Sequence, residues 1–448
     1  MNTNISPPSN NPETVAFGKA ARRLVPFLFL CYILAYLDRV NVGFAKLQMC
    51  SDLGFSETVY GTGAGIFFIG YLLFEVPSNM ILSKIGARVW IARIMVTWGI
   101  VACLQVFVSS EPLFYLLRFL LGVAEAGFFP GIILYLTLWF PARYRARMVA
   151  WFMTAVALAG VAGGPISGAI LESMHTIAGL RGWQWLFVLE GVPSVLIGVW
   201  VFFFLDDAPS GAAWLDNEEK EAIMARLALE EEEKKSAANT GHTFRDALSS
   251  PVVWTLSAVY FSIVLGLYGI SFWLPQIIRE TITSDVSAIG WISAVPWLVS
   301  AVAMVLNAMH SDRTGERRWH IAGACIAGGA AFAMSSMPEV NGWYGVAALS
   351  LATAGIMSAL SCFWSLPPAV LSGTAAAAGI ALINSFGNLA GYVSPELAGM
   401  IRDATGGRMA PVLVLFSAGL FAAAALTIFV TARYLRHAQI ADHECQDE

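Results

Sequence analysis

Charge is scarce in this chain. Asp, Glu, Lys and Arg supply 13% of its 448 residues, against about 25% in soluble domains. That excludes a water-soluble fold, because the apolar residues, 57% of the total, gather in blocks long enough to cross a ~30 Å hydrocarbon layer. Cysteine is sparse too: Cys31, Cys50, Cys103, Cys325, Cys362 and Cys445 are scattered without paired spacing, which excludes a disulfide framework and a zinc site. No nucleophile motif, metal-ligand cluster or phosphate loop occurs, so the sequence supports no enzymatic catalysis and calls for no cofactor and no metal. The short alternating strands of a membrane barrel are missing. The N-terminal "MNTNISPPSNNPET" is polar, and the first apolar run carries Asp38 and Arg39, so that run is expected to stay as a span rather than be cleaved as a signal. The net charge of −5 points to no nucleic-acid partner, since residues 206–250 alone hold 11 acids and 5 bases.

What is present is a set of twelve apolar runs: 23–44, 59–82, 89–109, 112–140, 148–172 and 183–205, then 251–278, 288–310, 319–337, 343–371, 376–401 and 409–434. Lipid cannot satisfy free backbone groups, so these runs must be helices. The expected fold class is an all-α polytopic membrane protein. Its parts are a tail over 1–22, a six-helix bundle over 23–205, a linker over 206–250, a second six-helix bundle over 251–434 and a tail over 435–448. In the linker, Asp216 and Glu219 have capping-box spacing, and Ile223 with Leu227 forms a thin apolar stripe, which predicts a short helix. Of 26 basic residues, 19 fall in the tails, linker and loops on the N-terminal side of the membrane and 5 in the opposite loops, which predicts that both termini are cytoplasmic.

The two bundles read as repeats. "SKIGARVW" (83–90) and "SDRTGERRW" (311–319) align Gly86, Arg88 and Trp90 with Gly315, Arg317 and Trp319 at an offset of 229 residues. Pro165 and Pro395 fall at an offset of 230. Parallel halves of this kind build one large transporter class, with its site between the halves. Gly160, Gly164 and Gly168 in one span, and Gly387, Gly391 and Gly399 in its counterpart, predict close helix approach around those prolines.

Six ionisable residues lie deep in spans, all in the first half: Asp38, Arg39, Glu75, Arg118, Glu125 and Glu190. Each charge at such depth costs at least ~2.5 kcal/mol, so these residues mark an interior path for substrate or ions. Arg118 and Glu125 are seven apart, within ~20° around a helix and ~10 Å along it. Depth along the first and fourth spans predicts an Asp38–Arg118 pair that leaves Arg39 free for an anion. Arginine supplies the planar fork that a carboxylate needs, and a buried acid can carry a proton. Asp38 and Glu125 are the expected proton carriers, and loss of the Asp38 charge is expected to loosen Arg118. Arg39, Arg118, Tyr36 and Tyr71 are the expected substrate contacts in the first half, with Tyr268, Trp364, Asn384 and Asn388 in the second. Glu190 reads as structural.

Several of these stretches carry a family resemblance. The "SKIGAR" and "SDRTGERR" loops resemble the inner-loop signature of the major facilitator superfamily. "YLDRVNVGFA", "EVPSNMILSKIGARVWIARIM", "RFLLGVAEAGFFPGIILYLTLWFP" and "RGWQWLFVLEG" are similar to its anion:cation symporter branch, and more narrowly to bacterial permeases for tartrate, galactonate and phthalate. The resemblance implies that Asp38 and Glu125 are protonation sites and that Arg39 binds substrate. It also implies gating by Lys84, Arg88, Asp312, Arg313 and Arg317, although Ser83 stands where the first-half signature has an acid. The expected function is proton-coupled import of a small hydroxylated carboxylate by a monomer in the bacterial inner membrane, its partners being that organic anion, protons and the lipid bilayer. Alternatives are import of aromatic acids such as phthalate or hydroxyphenylacetate and efflux of lipophilic compounds. A sensor is disfavoured because the linker is too short for an output domain.

Overall fold

The computed structural model describes residues 12–237, 248–340, 342–370 and 373–435. The expected tail residues 1–11 and 436–448, and the linker stretch 238–247, lie outside the described residues. Among the described residues there is no strand. Ten helical stretches are long and apolar enough to cross a membrane.

The first half comprises α1 (Pro12–Val40), α2 (Val42–Leu53), α3 (Glu57–Ile85), α4 (Ala87–Leu104), α5 (Glu111–Glu125), α6 (Phe128–Trp139), α7 (Ala142–Met153), α8 (Ala155–Ser173) and α9 (Gly182–Phe204). After the linker helix α10 (Asn217–Ala237) come α11 (Pro251–Thr281), α12 (Val286–Thr314), α13 (Arg318–Ser335), α14 (Gly342–Phe363), α15 (Leu366–Val370), α16 (Gly373–Asn388), α17 (Ala390–Ala404) and α18 (Ala410–Val430). Several spans are thus broken helices: α1 with α2, α5 with α6, α7 with α8, and α16 with α17. Among the described residues, these helices make twelve passes. Two of them fall outside the ten apolar stretches: α13 opens on Arg318 and His320 and is rich in Gly and Ala, and the eleventh pass is split at Leu389 into the two short helices α16 and α17.

The internal repeat extends to the helix caps. Ser56 accepts a hydrogen bond from the Val59 N–H at the start of α3, and Asp285 accepts one from Ala288 at the start of α12. These caps satisfy orphan amides of a first turn. Both helices end where a glycine takes positive φ, Gly86 at 100° and Gly315 at 68°, a conformation that side chains with a Cβ resist. Caps and stops therefore share the 229-residue offset seen in the sequence.

The most extensive crossings between the halves are α3 against α17 and α8 against α12, with α2 against α11 beside them. In the second, a Cβ on Gly164 would meet the Gly290 carbonyl oxygen, and a Cβ on Gly290 would meet that of Gly164. In the first, Gly61 lies against the Pro395 carbonyl and Gly399 against that of Glu57. Gly290→Val is expected to abolish transport and to destabilise the protein by about 1–3 kcal/mol, the ordinary cost of overpacking. Uptake assays and thermal unfolding of the purified variant check this.

The linker helix is anchored to the first half. Asp216 and Glu219 exchange hydrogen bonds of 3.1 and 2.8 Å at its start. Ile223 is buried, Lys19 pairs with Glu219, and Trp214 stacks on Trp139 with ring centres 5.5 Å apart. The end of the bundle that carries α10 is called the linker end below, and the opposite one the far end.

Candidate functional site

Asp38 and Arg39 occupy the last turn of α1, where a single residue, Asn41, separates it from α2. Glu125 is the last residue of α5; Ala126 then leaves the helix, and Gly127 turns at φ 84° into α6. Such interruptions place side chains and free backbone groups at the middle of a bundle, where transporter sites are found.

Arg39 and Glu125 meet there. Arg39 Nη2 donates to Glu125 Oε1 in an ion pair that is fully buried on the acid's side. Arg39 Nη1 donates to the Tyr268 hydroxyl of α11 at 3.2 Å, reaching across to the other half. The guanidinium lies 5.2 Å from the Phe67 ring centre and 5.5 Å from that of Tyr71. Glu125 Oε2 is buried without a hydrogen-bond partner. One fork thus contacts an acid, a phenol and two ring faces at the seam between the halves.

The expected Asp38–Arg118 pair does not form. Asp38 Oδ2 accepts hydrogen bonds from Trp98 Nε1 at 3.0 Å and Ser194 Oγ at 2.5 Å. Arg118, fully buried, donates to the carbonyls of Gly63, Ala64 and Arg39 at 3.2–3.4 Å. Its guanidinium braces α3 against the end of α1. The physical reason is that Asp38 and Arg39, adjacent in sequence, point to different neighbours: Arg39 turns to the seam and Asp38 turns inward to α4 and α9. Arg39 is accordingly not free but held by Glu125.

Other expected contacts separate into two groups. Tyr36 bonds Ser271 of α11 at 3.0 Å, and Tyr268 stacks near Phe68 and Phe272, so these residues and Tyr71 surround Arg39. Trp364 instead packs on Tyr260, ring centres 4.9 Å apart, and Asn384 and Asn388 flank Gly387, whose Cβ position faces Tyr260. Among the described residues no hydrogen bond joins those three to Arg39. Tyr260 and Tyr268 are two turns apart on α11 and link the two groups along one helix face.

The far end carries a constellation that sequence reasoning missed. Glu57 of α3 takes Lys46 at 2.9 Å and Arg402 of α17 at 3.1 Å. Arg402 also pairs with Glu280 of α11 at 2.6 Å. Asp403 accepts the Thr58 N–H at 2.8 Å and the Glu57 N–H at 3.3 Å, so a residue of the second half caps a helix of the first. Lys46 and Arg402 are 4% and 3% exposed. Ion pairs shielded this far from water are screened little, so the network fastens the two halves at this end. The signal available in the sequence was that Arg279–Glu280 and Arg402–Asp403 are adjacent acid–base pairs just beyond apolar runs, on the side of the membrane poor in bases.

The Major Facilitator Superfamily profile matches residues 28–395. The chain belongs to the Major Facilitator Superfamily. It is a multi-pass membrane transporter and not an enzyme. Among its relatives, a "Putative tartrate transporter" of Agrobacterium vitis is 50% identical over 427 residues, covering 95% of this chain and 93% of that one. A "Quinolone resistance transporter" of Acinetobacter baumannii is 39% identical, over 92% of this chain and 94% of that one. The inward-open structure of the xylose transporter XylE from E. coli superposes with a TM-score of 0.72 at 14% identity, over 92% of this chain and 96% of that one, a likeness of fold.

At the linker end of this superfamily member, the repeated loops hold no ion pair between the halves among the described residues. Asp312 pairs with Arg317 of its own loop at 2.6 Å, and Arg317 also donates to Ser311 at 2.8 Å. The Arg88 N–H donates to Asp207 at 2.8 Å, while Lys84 and Arg313 are exposed. In the same second-half loop, burial pushes the Glu316 carboxyl up, but the Trp319 amide and His320 outweigh it and hold it below the usual range. Among the described residues, ion pairs thus join the halves at the far end, and none joins the repeated loops at the linker end. Arg402→Gln is expected to release the far end. The rate at which a thiol reagent modifies a cysteine introduced at Ser271 should rise roughly tenfold or more, because one partner of a buried pair is lost.

Proposed function

We propose that this transporter is a proton-coupled symporter that imports a small organic carboxylate, a hydroxylated sugar acid or tartrate-like anion, by alternating access. The observation that carries the reading is the Arg39–Glu125 pair at the seam, with Tyr268 of the opposite half on the same guanidinium. A single fork cannot be saturated by its own acid and by a substrate carboxylate at once. Protonation of Glu125 removes its charge, releases Arg39, and lets the anion take the vacated donors. Proton and carboxylate thus load together, and each makes the other's binding more favourable.

In this account Arg39 binds the carboxylate, Tyr36, Tyr71 and Tyr268 meet its hydroxyls, and Trp364, Asn384 and Asn388 contribute from the second half when the halves close on it. Arg118 is a positioning residue: it fixes the α1 backbone at Arg39. Asp38 is a second proton carrier. In this reading the linker end and both termini are cytoplasmic, which the distribution of Lys and Arg supports, and the protein works as a monomer in a bacterial inner membrane. The far-end network is then the outer gate in its closed state. Lys84, Arg88, Asp312, Arg313 and Arg317 are the groups that fasten the inner side when the outer gate opens. The name of the Agrobacterium vitis relative supports tartrate as the first substrate to try.

A thermal-shift screen of the purified protein tests this. Tartrate and aldonates at a hundred times Kd should stabilise it by about 2.7 kcal/mol. Stabilisation by phthalate-like acids alone would redirect the substrate to aromatic acids, and stabilisation by neutral or cationic compounds alone would replace the reading with efflux.

A further inference from the structure

Two buried acids, Glu75 and Glu190, have no part in the mechanism above. Glu190 of α9 is 5% exposed, and its Oε1 accepts the Ser167 hydroxyl of α8 at 2.7 Å. One turn further along α9, Ser194 donates to Asp38. Asn41, one turn beyond Asp38 at the α1–α2 break, lies within reach of Glu190. Two carboxylates, from α1 and α9, therefore face one small volume.

Among the described residues that volume holds no positive charge. Neither carboxylate makes a salt bridge among the described residues; their hydrogen-bond donors are Trp98, Ser194 and Ser167. The titratable groups facing them are each other, Glu125 on the side of Asp38, and the Cys103 thiol of α4. Asp38 Oδ1, Glu190 Oε2 and both polar atoms of Asn41 are buried without partners. Two ionised carboxylates in such a site repel and lack solvation, so one must hold a proton or a cation. A hard metal cation draws roughly six oxygen ligands, and only three oxygens here stand without a partner.

A route for the proton lies alongside. A cavity of about 20 Å³ is lined by Asn41, Ser167 and Tyr36 from this half and by Ser271 and Ser293 from the other. About 10–15 Å³ holds one water. The cavity thus joins the seam between the halves to Ser167, which donates to Glu190, and to the buried, unpartnered Asn41.

We propose that Asp38 and Glu190 share a proton and form a second proton site, loaded through the one-water cavity at Asn41 and Ser167 and separate from the Arg39–Glu125 pair. The inference rests on the symport reading and makes Glu190 a coupling residue rather than a structural one. Movement of the second half against the cavity connects this pair to water on one side at a time.

The test is the number of protons moved per tartrate by full-length protein in proteoliposomes, read with a pH-sensitive dye and labelled substrate. Glu190→Gln should carry roughly one proton fewer, so that under a gradient of one pH unit its limiting accumulation falls about tenfold. An unchanged ratio in a transporting Glu190→Gln protein overturns the pairing while leaving symport in place. Wild-type accumulation that ignores the pH gradient overturns symport itself, and accumulation driven by a sodium gradient overturns the proton assignment. Infrared difference spectra of the wild type and Ser194→Ala keep the proposal testable should Glu190→Gln fail to fold. A protonated-carboxyl band at neutral pH that shifts in Ser194→Ala is expected, and a band that does not shift overturns the pairing.

Discussion

Arg39→Ala is expected to weaken carboxylate binding by roughly 10²-fold, because a charge-assisted hydrogen bond to a carboxylate is worth about 1.5–3 kcal/mol and the fork can supply two. The protein should still fold, for two reasons. Arg118 takes its hydrogen bonds from the main chain at residue 39 and not from the side chain. And Glu125, left alone and buried, can take up a proton instead of a partner. Arg39→Lys should rescue little: an ammonium offers no planar fork to bridge acid, phenol and ligand together. Isothermal titration of tartrate into both variants checks the result. Affinity within a fewfold of the wild type for Arg39→Ala would remove the arginine from the substrate site.

Glu125→Gln should separate two activities that travel together in the wild type. Glutamine keeps the shape of the acid but carries no charge, so Arg39 is released at every pH, as it is in the protonated wild type. Exchange of internal for external carboxylate should persist, and uptake driven by a pH gradient should collapse. The sign of the pH dependence follows. In the wild type, binding strengthens as pH falls, because protonation of Glu125 frees the fork; one linked proton gives up to about tenfold per pH unit. In Glu125→Gln the slope should flatten toward zero. Counterflow and gradient-driven uptake in the same proteoliposomes check both halves of the expectation. Loss of folding alone would make the pair a packing device.

The sequence carried the twelve passes and the repeat because lipid leaves helices as the only option and because a 229-residue offset survives in residues such as Gly86 and Gly315, whose positive φ requires glycine. It also marked Asp38, Arg39, Arg118 and Glu125, since charge at lipid depth is costly enough to stand out. What it could not show was pairing. Helix spacing orders residues along one helix, but the rotation of α1 against α5 decides whether Asp38 or Arg39 meets the other helix, and periodicity is silent on that. Trp98 and Ser194, which hold Asp38, are ordinary residues of apolar spans and carry no signal of their own. The far-end network was missed for a different reason. Its charges lie just outside the apolar runs, where charge is unremarkable, and only the fold shows that Lys46 and Arg402 are buried between halves.

Arg402 also indicates how opening of the far end is opposed. Breaking its contacts exposes or strands Glu57 and Glu280, and Asp403 must give up the amides at the start of α3. In the proposed mechanism, carboxylate binding at Arg39 offsets that cost through closure on the second half, where Tyr268 already touches the same guanidinium.

The most direct test of the central claim, that one guanidinium is contested between Glu125 and the transported anion, is the proton count of binding itself. Calorimetric titration of tartrate at neutral pH, run in two buffers of different ionisation enthalpy, reads the protons taken up per ligand bound. The account predicts an uptake that approaches one proton at Glu125 in the wild type and falls to near zero for that step in Glu125→Gln. Binding of tartrate by the wild type with no proton uptake at any pH would contradict it.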